Sequence, residues 1–438
     1  MEGTVAVVKY ENPESIDEVI KLSGVFDKFK KGDRVFIKPN IVSWIIGASM
    51  PPWGVITTSL LVEKVVRHIK DLGAGEIIIG EGTLTGPNDT ETASDAYETL
   101  GYNEMSKRYG VKVINCMEES FTKVDLGEGI ELNFCSDLIN SDYVINLPVL
   151  KTHAQAMVSL SYKNIKGCLD MNSRKLCHSD NMETDLDSHI ARLVNSLPKS
   201  CAILDGIYTL ERGPAPSGRA RRSDILIASE DMLLADMVGA AVLGFDPAEV
   251  PHIMKACGMK GILPSLDQIE IAGVPVKDVA SPHTWDFMYN KEKTLPIGLE
   301  NAGIKGVIYP KYDHSLCSYC SGITGFVQVA IADAWKGVPF DDVEILTGKM
   351  ESPTPGMKHT LLLGKCQVKL NKDNPDIENK ILVPGCPPDI DKMADALRKA
   401  GIDANQAIFD NYQTSGSLFM ARYEGRSEFS HEFYRTNK

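Results

Sequence analysis

The chain has 438 residues, 43% of them hydrophobic and 24% charged, with a formal net charge of −13. That length exceeds a single hydrophobic core and predicts two or three domains of ordinary soluble composition. The acidic balance excludes general nucleic-acid binding, which needs a basic face to neutralise phosphates. No apolar run approaches membrane-spanning length, and Met1–Tyr10 has neither a basic leader nor a long apolar core, so a cytoplasmic protein without membrane contact is expected.

The first 150 residues alternate strand and helix signals. Thr4–Lys9 reads as a strand, Ser15–Ser23 as an amphipathic helix, and Arg34–Ile37 as a strand running into Lys38-Pro39-Asn40. A Pro/Gly loop at Met50–Gly54 precedes a helix from Leu60 to Leu72, capped by Thr58 or Ser59 and stopped by Gly73. Glu76–Ile79 reads as a buried strand ending in Gly80-Glu81-Gly82-Thr83. A helix near Ala93–Leu100 follows, then a strand at Val111–Asn115 and another at Asp142–Leu147, which ends at Leu150-Lys151-Thr152-His153. The middle section predicts a helix at Asp185–Leu197, a strand at Ala202–Gly206, a loop at Glu211–Gly218, a strand at Asp224–Ser229 and an apolar helix at Asp231–Leu243. From about residue 305 a second alternation begins, with helices at Gly325–Trp335 and Ile390–Ala400 and a strand at Val343–Leu346. The expected fold is α/β, with mostly parallel sheets and helices on both faces. A two-lobed core spans 1–300, with lobes of about 1–150 and 151–300; a smaller cysteine-bearing α/β segment spans 301–410, and a polar, aromatic tail spans 411–438.

Four cysteines are the strongest chemical signal. Cys317 and Cys320 form a C-x-x-C pair, Cys366 follows the apolar run Thr360–Leu363, and Cys386 follows Ile381–Pro384. Ligands of open α/β sheets gather beyond the carboxyl ends of strands, so all four thiols are candidates for one metal site. Four thiolates suit a 4Fe-4S cluster or a structural zinc. Compact zinc ribbons keep their second pair close, whereas Cys366 and Cys386 are 20 positions apart, which favours the cluster. Cys116, Cys135, Cys201 and Cys257 sit in apolar contexts and read as core thiols. Cys177-His178 is an incomplete metal pair.

A second group of candidates stands at strand ends of the core. Lys38 and Asn40 offer an ammonium and a carboxamide to a carboxylate or phosphate, and a surface Lys beside a turn Asn is the equally plain alternative. Lys151, His153, Lys163 and Asn164 suit acid–base or amine chemistry on an anion, with His153 and Lys163 as the catalytic candidates; a buried His held by one backbone bond, and a solvated helix face carrying Lys163 and Lys166, are the plain alternatives. Glu81 and Asp205 end apolar strands before Gly, where capping explains a carboxylate nearly as well as substrate positioning. Arg212, with Arg219, Arg221 and Arg222, flanks the Gly/Pro loop as an anion clamp or as a solvated loop. Neither a G-x-G-x-x-G turn after the first strand nor a Walker loop is present.

Together, Val35–Asn40, Gly73–Ile77, Gly80-Glu81-Gly82, Lys151-Thr152-His153, Lys163–Gly167, Asp205-Gly206, Gly213-Pro214 with Gly218, and Asp236 resemble the domain-of-unknown-function 362 family. The resemblance runs from about residue 5 to about 260. It implies an iron–sulfur association, although the ferredoxin-like C-x-x-C-x-x-C-x-x-x-C-P run that often accompanies the family is missing. Gly-Cys-Pro-Pro at 385–388 also resembles a cluster-ligating turn of hydrogenase small subunits. The first 85 residues are similar in layout to the nickel-pincer lactate racemases, and His153 and Lys163 have the ten-residue separation of that family's metal-holding His and cofactor-anchoring Lys. The small, glycine-rich stretch between them is replaced by Val158–Tyr162, and Leu84 stands where the catalytic His would follow Gly82-Thr83, which argues against a nickel-pincer nucleotide here. The resulting expectation is an iron–sulfur oxidoreductase or electron-transfer protein acting on a small anionic substrate, with a redox partner protein and a homodimeric state as further expectations. A non-redox isomerase or lyase and a binding protein with a structural metal are the alternatives.

Overall fold

Short apolar runs bounded by turn residues become the strands of one ten-stranded sheet and a separate hairpin. In chain order they are β1 (Thr4–Lys9), β2 (Arg34–Lys38), β3 (Glu76–Glu81), β4 (Lys112–Asn115), β5 (Phe121–Asp125), β6 (Glu131–Cys135), β7 (Tyr143–Asn146), β8 (Val149–His153), β9 (Met157–Ser159), β10 (Lys199–Glu211), β11 (Arg219–Ser229) and β12 (Glu270–Gly273). This computed structural model describes residues 3–42, 44, 46, 50–82, 89–410 and 419–436. Two units result: Met1–Arg174 with Asp187–Asp286 and Gly416–Lys438, and Lys175–Leu186 with Phe287–Ser415.

In the first unit the strand order is β12-β1-β11-β10-β7-β2-β3-β4, with β8 and β9 attached beside β10 and β5–β6 forming a separate hairpin. The pairs β10–β7, β7–β2, β2–β3 and β3–β4 are all parallel, so their carboxyl ends share one edge. From β2 the chain moves outward through β3 and β4, then returns to the other side of β2 as β7. The direction of winding therefore reverses between β2 and β7, and a crevice opens at that point in doubly wound sheets.

Central strands covered on both faces read as continuous apolar runs. Val35, Ile37, Ile77, Ile79 and Ile145 pack with Ile16, Ile20, Leu61, Val65 and Ile69 from the helices Glu14–Ser23 and Ser59–Asp71. The alternate residues Phe36, Ile78 and Val144 are equally buried on the opposite face. There the helix Met232–Val242 lies close, its Gly239 giving room to Leu204, Leu160 and Leu150.

The second unit has a smaller sheet of four parallel strands, β13 (Val307–Ile308), β14 (Val343–Leu346), β15 (His359–Leu363) and β16 (Asn379–Val383), in sequential order. Its core joins Ile345, Leu361, Leu363 and Val383 to Val327 and Ile331 of the helix Ser318–Ala334 and to Leu397 of the helix Met393–Lys399.

Four local features differ from the sequence reading. The helix expected over 185–197 is only Leu186–Ile190, because Arg192, Leu193, Asn195 and Leu197 close tighter three-residue turns ahead of Pro198. Lys151-Thr152-His153 is not a loop beyond a strand but belongs to β8, paired with β10 and folded back on β9. The helix after the C-x-x-C pair starts at Ser318, which brings Cys320 into its first turn. The described part of the tail returns to the first unit, where Tyr423, Phe429 and Tyr434 are buried with Trp53 and Tyr208. Residues 411–418 and the Thr83-Leu84 step lie outside the described residues.

Candidate functional site

The crevice between β2 and β7 is built from strand-end side chains. Register sets Lys38 opposite Asn146 across these two strands, and Glu81 ends the neighbouring β3. Lys38 Nζ lies 2.7 Å from Glu81 Oε1 in a buried ion pair and donates to the Pro39 carbonyl at 2.6 Å. Glu81 is further held by the backbone N–H groups of Ile41 and Gly82, each at 2.9 Å. Asn164 closes the group: its Nδ2 donates to Asn146 Oδ1 at 2.7 Å, and its Oδ1 stands 3.5 Å from Lys38 Nζ.

The segment carrying Asn164 is clamped from behind. Asp236, on the helix Met232–Val242, accepts from Ser161 N at 2.7 Å, Ser161 Oγ at 2.5 Å and Tyr162 N at 3.0 Å. Burial pushes its carboxyl up to about 6 despite those donors. Gly167 then crosses directly over the ion pair. A Cβ there would lie 2.5 Å from Glu81 Oε1 and 2.9 Å from Lys38 Nζ, so only glycine fits.

Lys151 supplies an unmatched amine. It is 1% exposed, and its Nζ donates to the Val55 carbonyl at 3.0 Å, which also accepts from Asn40 Nδ2 at 2.6 Å. Burial holds this ammonium well below the usual lysine range, and the charges of Lys163 and Lys38 push it down further against the opposing pull of Glu81. The charges of two lysines and one carboxylate thus act on Lys151, and that carboxylate is paired with Lys38. On β8, His153 accepts at Nδ1 from Gln155 N at 3.1 Å and Ala156 N at 3.3 Å. Both bonds need the Nδ1 lone pair, so the neutral ring carries its proton on Nε2.

The remaining candidates stand elsewhere. Asp205 accepts from Thr58 N and Thr58 Oγ1, both at 2.7 Å, and from Ile207 N, and so secures the start of the helix Ser59–Asp71. Arg212 lies just past β10 with a positive φ of 51°, its backbone N–H bonded to the Thr284 carbonyl, and its buried Nε has no hydrogen-bond partner among the described residues. The sequence reading passed over Asn146, and it quoted Gly167 and Asp236 only as motif letters. An asparagine at the end of an apolar strand before Pro148 was the available signal for the first.

In the second unit, Cys317 is the N-cap of the helix Ser318–Ala334 and Cys320 lies in its first turn. Cys366 is in the first turn of the helix Gly364–Asn371, beyond β15. Cys386 follows β16 in a turn tied to β15's end by the Lys365 N to Gly385 O bond of 2.7 Å. Gly364, with φ of 85°, brings this corner within 3.3 Å of Cys320 Sγ, measured from the position a Cβ would take. The Cys317 thiol, burial, and the Cys366 and Cys386 thiols together push Cys320 well above the usual thiol range. These four are partly or fully exposed, whereas the other six cysteines are buried. Lys349 stands beside the group, its charge acting on Cys366 and its Nζ donating to the His178 carbonyl. The His178 ring bonds the His314 carbonyl at 2.8 Å, and Cys177 is buried. Among the described residues no three His, Cys, Asp or Glu side chains surround a common ion position.

Residues 35–241 match the family model described as DUF362, a domain of unknown function. This segment is a DUF362 domain. A thylakoid-associated protein of Synechocystis sp. is 27% identical over 235 residues, which cover 52% of this chain and 69% of that protein. The lactate racemase apoprotein of Thermoanaerobacterium thermosaccharolyticum aligns at 14% identity and a TM-score of 0.34, covering 56% of this chain and 58% of that one. A structural-genomics protein of Thermotoga maritima aligns at 14% identity and a TM-score of 0.30, over 57% and 59% of the two chains. Similarity at these scores carries no argument about chemistry. The DUF362 domain contains Lys38, Glu81, Asn146, Lys151, Asn164 and Asp236, while the four clustered cysteines fall outside it. Among the described residues no helix is long and apolar enough to cross a membrane.

Proposed function

We propose that this protein is an iron–sulfur oxidoreductase or electron-transfer protein whose DUF362 domain binds a small anionic substrate. The observation that carries the reading is the gathering of Cys317, Cys320, Cys366 and Cys386 around strand ends and helix N-termini of the second unit. The donor chemistry fits: four sulfurs, all at least partly exposed, close enough that the Cys317, Cys366 and Cys386 thiols act on Cys320. Those four residues would hold a 4Fe-4S cluster, which supplies one-electron transfer when bound; zinc is the alternative occupant.

In the DUF362 domain, Lys38, Asn40, Lys151 and Lys163 orient the anion. Lys151 gains a counter-charge when the anion binds, which favours its ammonium form. His153 presents a protonated Nε2 and acts as a proton donor at that atom. A cytoplasmic location, a redox partner and a homodimer belong to the same proposal. The test is anaerobic purification with iron, sulfide and zinc analysis and an absorption spectrum. About four irons and four sulfides per chain, lost on Cys386→Ala, are expected for this cluster type. Colourless protein holding one zinc sinks the reading.

A second reading is favoured by Lys151. A buried amine whose ammonium form is disfavoured by burial can, in its neutral form, take a proton from carbon or attack a carbonyl, and it serves an isomerase or lyase without redox chemistry. Trapping a carbonyl substrate on Lys151 with borohydride distinguishes it.

A further inference from the structure

We propose that the first unit carries a second anion site, separate from the Lys38–Lys151 crevice, that takes a small phosphorylated molecule. It is a cavity of about 450 Å³ walled by Arg219 and Arg221 of β11 and by Arg422 and Arg426 of the C-terminal tail, with Glu211 and Tyr423. Small-molecule sites span roughly 300–1,000 Å³, so a compact metabolite fits.

The charges do not cancel. Arg221 pairs with Glu211, and Arg426 pairs with Glu428 through two guanidinium nitrogens. Arg219 sits in the β10–β11 ladder opposite Glu211, and its side chain has no hydrogen bond or ion pair among the described residues. Arg422 is held by backbone carbonyls and an aromatic ring, its Nη1 donating to Ser217 O at 2.8 Å and Gly218 O at 3.0 Å and its guanidinium lying over Phe419. Two guanidiniums are therefore left without a carboxylate, in a chain whose net charge is −13. They converge from segments about 200 positions apart in sequence, and the Tyr423 hydroxyl, accepting from Ala220 N at 2.8 Å, fixes that convergence.

Guanidinium forks pair bidentately with carboxylates and phosphates. Approach from two chain segments favours the tetrahedral phosphoryl group, whose oxygens face several directions, over a planar carboxylate with a single binding edge. Occupancy would also brace the tail against the β10–β11 hairpin.

Titration calorimetry of the full chain with pyrophosphate, inorganic phosphate and citrate tests this. Saturable, salt-sensitive pyrophosphate binding is expected. Arg219→Glu, at an exposed residue without a partner to lose, should weaken it roughly tenfold or more. Arg422→Ala should weaken it as well, while Lys163→Ala leaves it unchanged. Hydrogen exchange in residues 419–436 should slow on binding. No binding at millimolar pyrophosphate, binding indifferent to Arg219→Glu, or binding lost only in Lys163→Ala overturns the site. Citrate bound as tightly as pyrophosphate overturns the phosphoryl assignment.

Discussion

Lys38 and Glu81 form an ion pair 2.7 Å apart whose side chains are 0% and 4% exposed. A pair this deep is weak evidence of net stabilisation, but removing one partner strands the other charge. Glu81 also receives two backbone N–H groups, so its position is fixed whether or not a ligand is bound. Lys38→Met should therefore destabilise the first unit by about 3–5 kcal/mol, read from urea unfolding. A loss below about 1 kcal/mol, the range of exposed pairs, would show that water reaches the pair.

Lys151 predicts the opposite sign. Its folded pKa is depressed, so its contribution to stability is fully present above the unfolded lysine value and is lost as pH falls through the folded one. At neutral pH a buried amine therefore costs stability. The Val55 carbonyl keeps Asn40 as a donor when the lysine is removed, so no acceptor is orphaned. Lys151→Met should raise the ligand-free Tm by a few degrees, a gain of about 1 kcal/mol. The same variant should abolish any rise in Tm caused by substrate anions. A lower Tm would mean that the ammonium already has a stabilising partner.

Much of this crevice was legible from sequence because its parts are strand ends. Apolar runs of three or four residues followed by Lys38 or Glu81 mark where a parallel sheet exposes side chains to a ligand, and the run before Asn146 carries the same signal although it was passed over. The convergence of Cys366 and Cys386 follows from the same rule applied to β15 and β16. The rule does not separate a positioning carboxylate from a structural one: Asp205 also ends an apolar run, yet its oxygens are taken by Thr58 and Ile207. Long-range packing was not legible. Nothing local in the tail announces that Tyr423 and Phe429 would be buried against Trp53, because that face exists only after β10, β11 and the Pro/Gly loop have assembled.

Asp236 gives a pH-dependent prediction. Its carboxyl is raised from 3.8 to about 6, chiefly by burial. A raised folded pKa contributes stability below the unfolded value and loses it as pH rises through the folded one. That rise corresponds to about 3 kcal/mol in full, of which about 2 kcal/mol is lost between pH 4 and pH 6.5. Asp236→Asn cannot titrate and cannot accept from Ser161 N, Ser161 Oγ and Tyr162 N as a carboxylate does, so it should be less stable at every pH. Its stability should nevertheless be the flatter function of pH, and the gap to the native protein should narrow from pH 4 to pH 6.5. Because the clamp positions Asn164 and Lys163, anion binding should weaken as well. A constant gap would assign the titration to another group.

Cysteine exposure yields a prediction independent of which metal is bound. Cys116, Cys135, Cys168, Cys177, Cys201 and Cys257 are each 0% exposed, and burial pushes the Cys257 thiol up to about 11 and Cys201 higher still. Lack of access disfavours reaction of all six in the folded protein, and at Cys201 and Cys257 burial disfavours the thiolate as well. Cys317, Cys320, Cys366 and Cys386 retain access. Chelator-treated native protein should therefore take up iodoacetamide at those four and at no others, with the six buried thiols reacting only in denaturant. Protein carrying its metal should be protected at all four together, since each would be a ligand. Protection of only Cys317 and Cys320 would reduce the site to its C-x-x-C pair, and native labelling of Cys116 or Cys135 would contradict their burial. Peptide mass spectrometry after timed alkylation reads every one of these positions.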